Sequence, residues 1–151
     1  MNLRHITAIL FVLLMVACGA SVNFGIDIIF PDTAAREATV TLRIFALEPG
    51  TDADCQALMD VQVEPGDADY AIDRQVELDL DEGVDASSLE QVGPGLRLFF
   101  AEALGGSGDV LLRGCSTVEA GGGGPETVQI SLEWVDVCQQ TNGGLEICDS
   151  L

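Results

Sequence analysis

The chain has 151 residues, and its formal net charge of −19 at pH 7 comes from 25 Asp and Glu residues against six Lys and Arg residues. This length fits one domain, and the hydrophobic fraction of 48% is enough to form a core. The acidic charge excludes binding to nucleic acid and adhesion to anionic headgroups, because both would repel the protein. We expect the acidic surface to serve solubility.

The first residues have the layout of a signal peptide: Arg4 is positive, residues 6–16 are apolar and Ala17 is small. The apolar run is too short for a membrane-spanning helix, which takes about 20 residues. Residues 13–18 (LLMVAC) resemble the lipobox of bacterial lipoproteins, with Met15 where Leu is usual. The resemblance implies removal of residues 1–17 and anchoring through acyl chains on Cys18, at the periplasmic or surface face of the outer membrane. An ordinary secretory signal is the alternative.

A period of two in the apolar residues predicts strands over residues 22–30 and 38–47, which follow a short tether at 18–21. The inward positions are Val22, Phe24, Ile26, Ile28 and Phe30 in the first strand, and Val40, Leu42, Ile44 and Ala46 in the second. Phe45 and Leu47 lie on the opposite side of the second strand, so we expect its end to be covered on both faces.

Residues 52–59 predict a short helical turn that carries Cys55. A short strand is predicted over 61–64, and a longer one over 72–81. The inward positions of the longer strand are Val76, Leu78 and Leu80. Residues 82–94 predict a loop, with Leu89 and Val92 tucked under the domain.

Residues 96–104 and 109–118, joined by Gly-rich residues 105–108, predict an antiparallel hairpin. A flexible connection at 121–125 precedes the last predicted strand, 127–135, whose inward positions are Val128, Ile130, Leu132 and Trp134. Trp134 is therefore expected in the core. About seven strands predict an all-β fold, an antiparallel two-sheet β-sandwich of immunoglobulin-like or transthyretin-like type, over residues 22–136.

Four cysteines follow Cys18, and an even number in an exported chain predicts disulfides. Three pairings are possible. Cys138 and Cys148 bracket a turn-forming Thr-Asn-Gly-Gly stretch and most easily pair with each other, which leaves Cys55 with Cys115. Zinc is disfavoured, because the chain has no C-x₂-C pair and its only histidine, His5, lies in the signal peptide.

The tail at 137–151 contains residues 141–149 (TNGGLEICD), which resemble the opening of a metal-binding repeat of bacterial surface proteins. That repeat is named after a copper-binding methanotroph surface protein. Ser150 replaces its next glycine, and its acidic remainder is missing. The resemblance implies kinship with surface lipoproteins of myxobacterial type, without a working metal site.

Asp79, Asp81, Asp85 and Glu90 match part of the spacing of an EF-hand calcium loop. Val84 stands where that loop needs glycine, so these residues are weak candidates for a metal site. A solvated strand end is the alternative interpretation.

The sequence favours a non-enzymatic protein without a cofactor. The chain has no lysine, and no histidine follows the signal peptide, so the usual general bases and Schiff-base amines are absent. We expect a lipid-anchored structural or interaction module of the cell envelope, whose protein or glycan partner the sequence does not identify. A calcium- or copper-binding surface lipoprotein is the alternative.

Overall fold

The computed structural model describes residues 21–80, 88–121 and 127–135. These residues form strands β1 (Val22–Ile29), β2 (Thr41–Pro49), β3 (Tyr70–Asp79), β4 (Ser88–Val92), β5 (Gly95–Leu104), β6 (Val110–Ala120), β7 (Thr127–Ser131) and β8 (Glu133–Trp134), with helices α1 (Thr33–Ala38) and α2 (Cys55–Met59). In this part of the chain, no helix has the length and apolar character needed to cross a membrane. The predictions on the signal peptide, Cys18, Asp81, Asp85, Cys138, Cys148 and the tail lie outside the described residues.

The strands form two sheets, in the orders β4-β1-β7 and β3-β2-β5-β6-β8. The predicted all-β sandwich is confirmed. One pairing departs from the antiparallel pattern, since β1 and β7 run parallel. The apolar residues of the two sheets pack on each other, and the Phe24 and Phe99 rings meet edge to face with centroids 5.0 Å apart. The predicted inward residues Leu42, Ile44 and Ala46 are all buried there.

The five-stranded sheet is covered on its outer face as well. Residues 50–69, which connect β2 to β3 and which we call the cover segment, pack Leu58 of α2 against the outer face. A second apolar cluster results, formed by Phe45, Leu47, Leu58, Tyr70, Leu98 and Phe100. Burial of Phe45 and Leu47 confirms the prediction that this end of β2 is covered on both faces.

Two sequence predictions about elements are wrong, and one helix was not predicted. Residues 61–64 form turns and bends rather than a strand, and Val61 has a φ of 59°, which an extended strand does not allow. Residues 88–92, predicted as loop, form β4 against β1, although Leu89 and Val92 are buried as expected. Residues 33–38 form α1, where Asp32 caps the N-terminus by accepting a hydrogen bond from the Ala35 amide at 2.7 Å.

The predicted last strand is split between the two sheets. The Leu132 amide still donates to the Ile29 carbonyl of β1, whereas the Val135 amide donates to the Leu111 carbonyl of β6. Trp134 pairs with Leu112 at the edge of the large sheet and is 39% exposed, so its predicted core position is wrong. The two-residue strand β8 lies at the edge of the large sheet, so no further strand covers the indole of Trp134. Leu132, by contrast, is buried in the core.

Candidate functional site

A cleft of about 690 Å³ lies between the cover segment and β8. One wall is formed by α2 and the residues after it, the floor by Arg113 and Cys115 of β6, and the other wall by residues of β7, β8 and Val135. Its lining is Cys55, Gln56, Met59, Asp60, Val61, Gln62, Arg113, Cys115, Ser131, Glu133, Trp134 and Val135. Half of these twelve side chains are polar, and together the lining residues surround an open concavity that can accommodate a ligand.

The α2 wall is fixed to the sheet at both ends of the helix. Asp54 caps the N-terminus by accepting from the Ala57 amide at 2.9 Å, and the Tyr70 hydroxyl contacts both backbone polar groups of Asp54. A disulfide joins Cys55 to Cys115 with their Cα atoms 5.5 Å apart, which confirms the predicted pairing. At the other end, Arg113 Nη1 donates to the Leu58 carbonyl at 3.2 Å. This wall of the cleft is therefore held in place covalently and by hydrogen bonds.

The cleft floor belongs to a row of alternating charges across the outer face of the large sheet. Cross-strand pairing places these residues side by side in the order Glu77, Arg43, Glu102, Arg113 and Glu133. Glu102 is at the centre and almost fully buried, with Arg113 Nη2 at 3.0 Å from one carboxylate oxygen and Arg43 Nη2 at 3.2 Å from the other. Opposite charges directly across neighbouring strands stabilise this pairing.

The arginines contribute little positive charge to the surface. Asp73 forms ion pairs with Arg74 and Arg97, and Glu102 forms ion pairs with Arg43 and Arg113. Two carboxylates therefore pair with four of the five arginines that follow Cys18. The cover segment contains no basic residue, and its acidic residues are Asp52, Asp54, Asp60, Glu64, Asp67 and Asp69. Of these six, Asp60 lines the cleft, and Glu133 adds a carboxylate to the opposite wall.

The residues predicted as weak metal ligands are only partly described. Asp79 ends β3 and Glu90 lies in β4, and both are exposed, while Asp81 and Asp85 lie outside the described ranges. Over residues 21–80, 88–121 and 127–135, no three His, Cys, Asp or Glu side chains converge so that they could hold a metal ion.

Sequence reasoning missed the cleft, although one signal for its floor was present. Arg43 and Glu77 occupy outward positions of two predicted strands. Their opposite charges suggest that the two side chains lie side by side on adjacent strands. Glu102 is the stronger signal, since a carboxylate inside the apolar run 96–104 needs a buried cationic partner.

Comparison with family models, curated proteins and solved structures finds no match to this chain. The carboxylates, amides and hydroxyl that line the cleft can bind a polar ligand through hydrogen bonds, and Trp134 is an exposed aromatic residue at its edge.

We expect Trp134 to emit as a partly solvated indole, and it is the only tryptophan of the chain. Acrylamide, a neutral quencher that the acidic surface does not repel, should quench the native emission substantially. Unfolding in urea should shift the emission further to the red, because part of the ring is buried. A blue-shifted native emission that acrylamide does not quench would contradict the exposed position.

Proposed function

We propose that the protein is a lipid-anchored module of the bacterial cell envelope that binds a partner in the cleft beside Trp134. The observation that carries the binding part is the exposed Trp134 at a cleft whose opposite wall is fixed by the Cys55–Cys115 disulfide. Tryptophan is the residue most enriched at binding hot spots, and a pre-organised wall lowers the entropy that binding costs.

The anchoring part is supported by the lipobox-like residues 13–18 and by the disulfide. Disulfides persist in exported proteins and are rare in reducing compartments, so Cys55–Cys115 agrees with export. Two or more acyl chains on Cys18 would hold the domain stably, since each buried CH₂ contributes about 0.8 kcal/mol. The first strand begins at Val22, so an anchor on Cys18 would hold the sandwich near the bilayer surface.

Replacing Cys18 with Ser should release the protein from the membrane fraction, because the acyl chains would have no attachment site. The measurement is fractionation of cells that express the full chain, followed by a high-salt wash that removes electrostatic contacts. Cys55→Ser/Cys115→Ser is the control, since it removes two cysteines but leaves Cys18 in place and should stay with the membrane. A Cys18→Ser protein that remains in the washed membranes would contradict lipid anchoring.

The binding part is tested with the native emission of Trp134. Titration with peptides and neutral oligosaccharides should shift or quench this emission for one class of ligand, and excess unlabelled ligand should compete. Calcium chloride is the comparison for the cation-binding alternative built on Asp79, Asp81, Asp85 and Glu90. Calorimetric binding of calcium, lost in an Asp79→Asn/Asp81→Asn variant, would favour that alternative instead.

A further inference from the structure

We propose that one end of the sandwich rests on the bilayer through Pro94 and Leu96, so that the cleft is presented to the aqueous space of the envelope. This inference rests on the proposed lipid anchor and specifies how the anchored domain is oriented. Three observations support it: the place where the tether leaves the sandwich, the side chains exposed there, and the distance of Trp134 from that place.

The tether leaves the sandwich beside the turn that joins β4 to β5. Val22, the first residue of β1, pairs with Val92, and residues 93–94 then lead into β5. Pro94 also lies over the end of β6, since a Cβ added to Gly121 would be 3.3 Å from the Cβ of Pro94. The turn therefore closes one end of both sheets, which we call the tether end.

The tether is too short to hold this end far from the membrane. Only residues 19–21 separate Cys18 from Val22, and a fully extended chain over this interval spans about 14 Å. Acyl chains on Cys18 would therefore keep the tether end at a high effective concentration beside the lipid. Under this constraint, a weak apolar contact is enough to orient the domain.

The tether end exposes an uncharged, apolar surface. Pro94 is exposed, and Leu96 is 48% exposed, the highest value among the large hydrophobic side chains of the described residues. The sequence has no charged residue over 92–96 or over 120–125. Single exposed aliphatic residues are common on protein surfaces. Leu96 differs by its place, because anchoring on Cys18 alone brings it to the bilayer.

The charges near the tether end determine which lipid it can meet. The end of β2 also lies there, because β2 runs antiparallel to β5. Gly50, which follows β2, donates a hydrogen bond to the Asp69 carbonyl, and both Asp67 and Asp69 are exposed. Anionic headgroups would repel these two carboxylates. The surface that fits the tether end is therefore zwitterionic.

The cleft lies toward the opposite end of the sandwich. Trp134 pairs with Leu112 near the start of β6, whereas Ala120 at the end of β6 pairs with Gly95 at the tether end. The stretch of β6 from Leu112 to Ala120 is about 27 Å long at the rise of an antiparallel strand. A partner that binds beside Trp134 would therefore approach from the aqueous side and not from within the bilayer.

The test places a fluorescent label at either end of the full-length lipidated protein. Leu96→Cys carries nitrobenzoxadiazole at the tether end, and Ile29→Cys carries it at the far end of β1, where the exposed fraction is a similar 40%. Labelling without reductant leaves the Cys55–Cys115 disulfide intact, and unsubstituted protein treated in the same way gives the background. The proteins are reconstituted into phosphatidylcholine vesicles, with and without a lipid that carries a nitroxide on its headgroup.

We expect the nitroxide lipid to quench the label at position 96 severalfold more than the label at position 29, because only the first label meets the headgroups. Trp134 emission of the unsubstituted protein should be unaffected by the nitroxide lipid. Both substituted side chains are exposed, and thermal melts check that both variants are folded.

Flotation of the vesicles separates the ways in which the inference can fail. Protein that floats, but whose label at position 96 is quenched no more than the label at position 29, would be anchored without contact at the tether end. Quenching of Trp134 by the nitroxide lipid would place the cleft at the bilayer. Either result would overturn the orientation and leave the anchor in place. Protein that does not float would have no anchor, and both the anchor and the orientation would be wrong.

Discussion

Replacing Glu102 with Ala should lower the free energy of unfolding by about 3–5 kcal/mol, the range expected when one partner of a buried ion pair is removed. Glu102 and Arg113 are 5% and 8% exposed, and their side chains meet at 3.0 Å. The variant leaves the Arg113 charge buried without a carboxylate. Arg43 can recover hydration, since about a third of its side chain is exposed, so most of the loss comes from Arg113.

Urea unfolding followed by circular dichroism measures this effect. Glu77→Ala is the matched control, because Glu77 occupies the same charged row beside Arg43 but is exposed, and its loss should change stability by about 0.5 kcal/mol or less. Glu102→Gln should be intermediate, since its amide oxygen can accept one of the two hydrogen bonds without neutralising the arginines. If Glu102→Ala were as stable as Glu77→Ala, the buried cluster would not contribute to folding.

The same cluster shows why some features were predictable from sequence. Strands that bury one face alternate apolar and polar residues, and this made β1 and the inward face of β2 recognisable. The hairpin of β5 and β6 was recognisable from its Gly-rich turn. The continuous apolar character of β5 indicates burial on both faces, which the structure explains by the cover segment.

Features that depend on distant pairing were not predictable. The apolar alternation of Ile130 and Leu132 continues to Trp134 in the sequence, yet the chain passes from the small sheet to the large sheet after Leu132. The change of sheet shows only in the backbone partners, which are Ile29 for Leu132 and Leu111 for Val135. The cleft depends on the same crossing, because β8 forms one of its walls. The five-residue β4 lacks a strict period of two, since Leu89 and Val92 are both buried while Gln91 between them has a φ of 59°.

The cover segment offers another contrast between local and distant signals. Asp54 followed by helix formers predicts α2 from local sequence alone, as observed. Its docking on the outer face depends on Leu58, Tyr70 and the disulfide, which bring together parts of the chain that are far apart in sequence. The pairing could be predicted because only a small number of cysteine combinations was possible.

Removing the Cys55–Cys115 disulfide should lower the free energy of unfolding by about 4 kcal/mol, because the bond closes a loop with a sequence separation of 60 and restricts the unfolded chain. We expect the Cys55→Ser/Cys115→Ser variant to unfold at a correspondingly lower urea concentration. Amide exchange at Asp60 and Gln62, which bond to carbonyls of α2, should accelerate more than exchange in β5, since the α2 wall loses its covalent attachment.

The second predicted disulfide provides the control for this experiment. In a Cys138→Ser/Cys148→Ser background, adding dithiothreitol removes only Cys55–Cys115 and should reproduce the instability of the Cys55→Ser/Cys115→Ser variant. Agreement between the two would assign the loss to the bond itself and not to the introduced serines. A reduced protein as stable as the oxidised one would mean that Tyr70, Leu58 and Arg113 hold the cover segment without it, and the cleft would then keep its shape under reducing conditions.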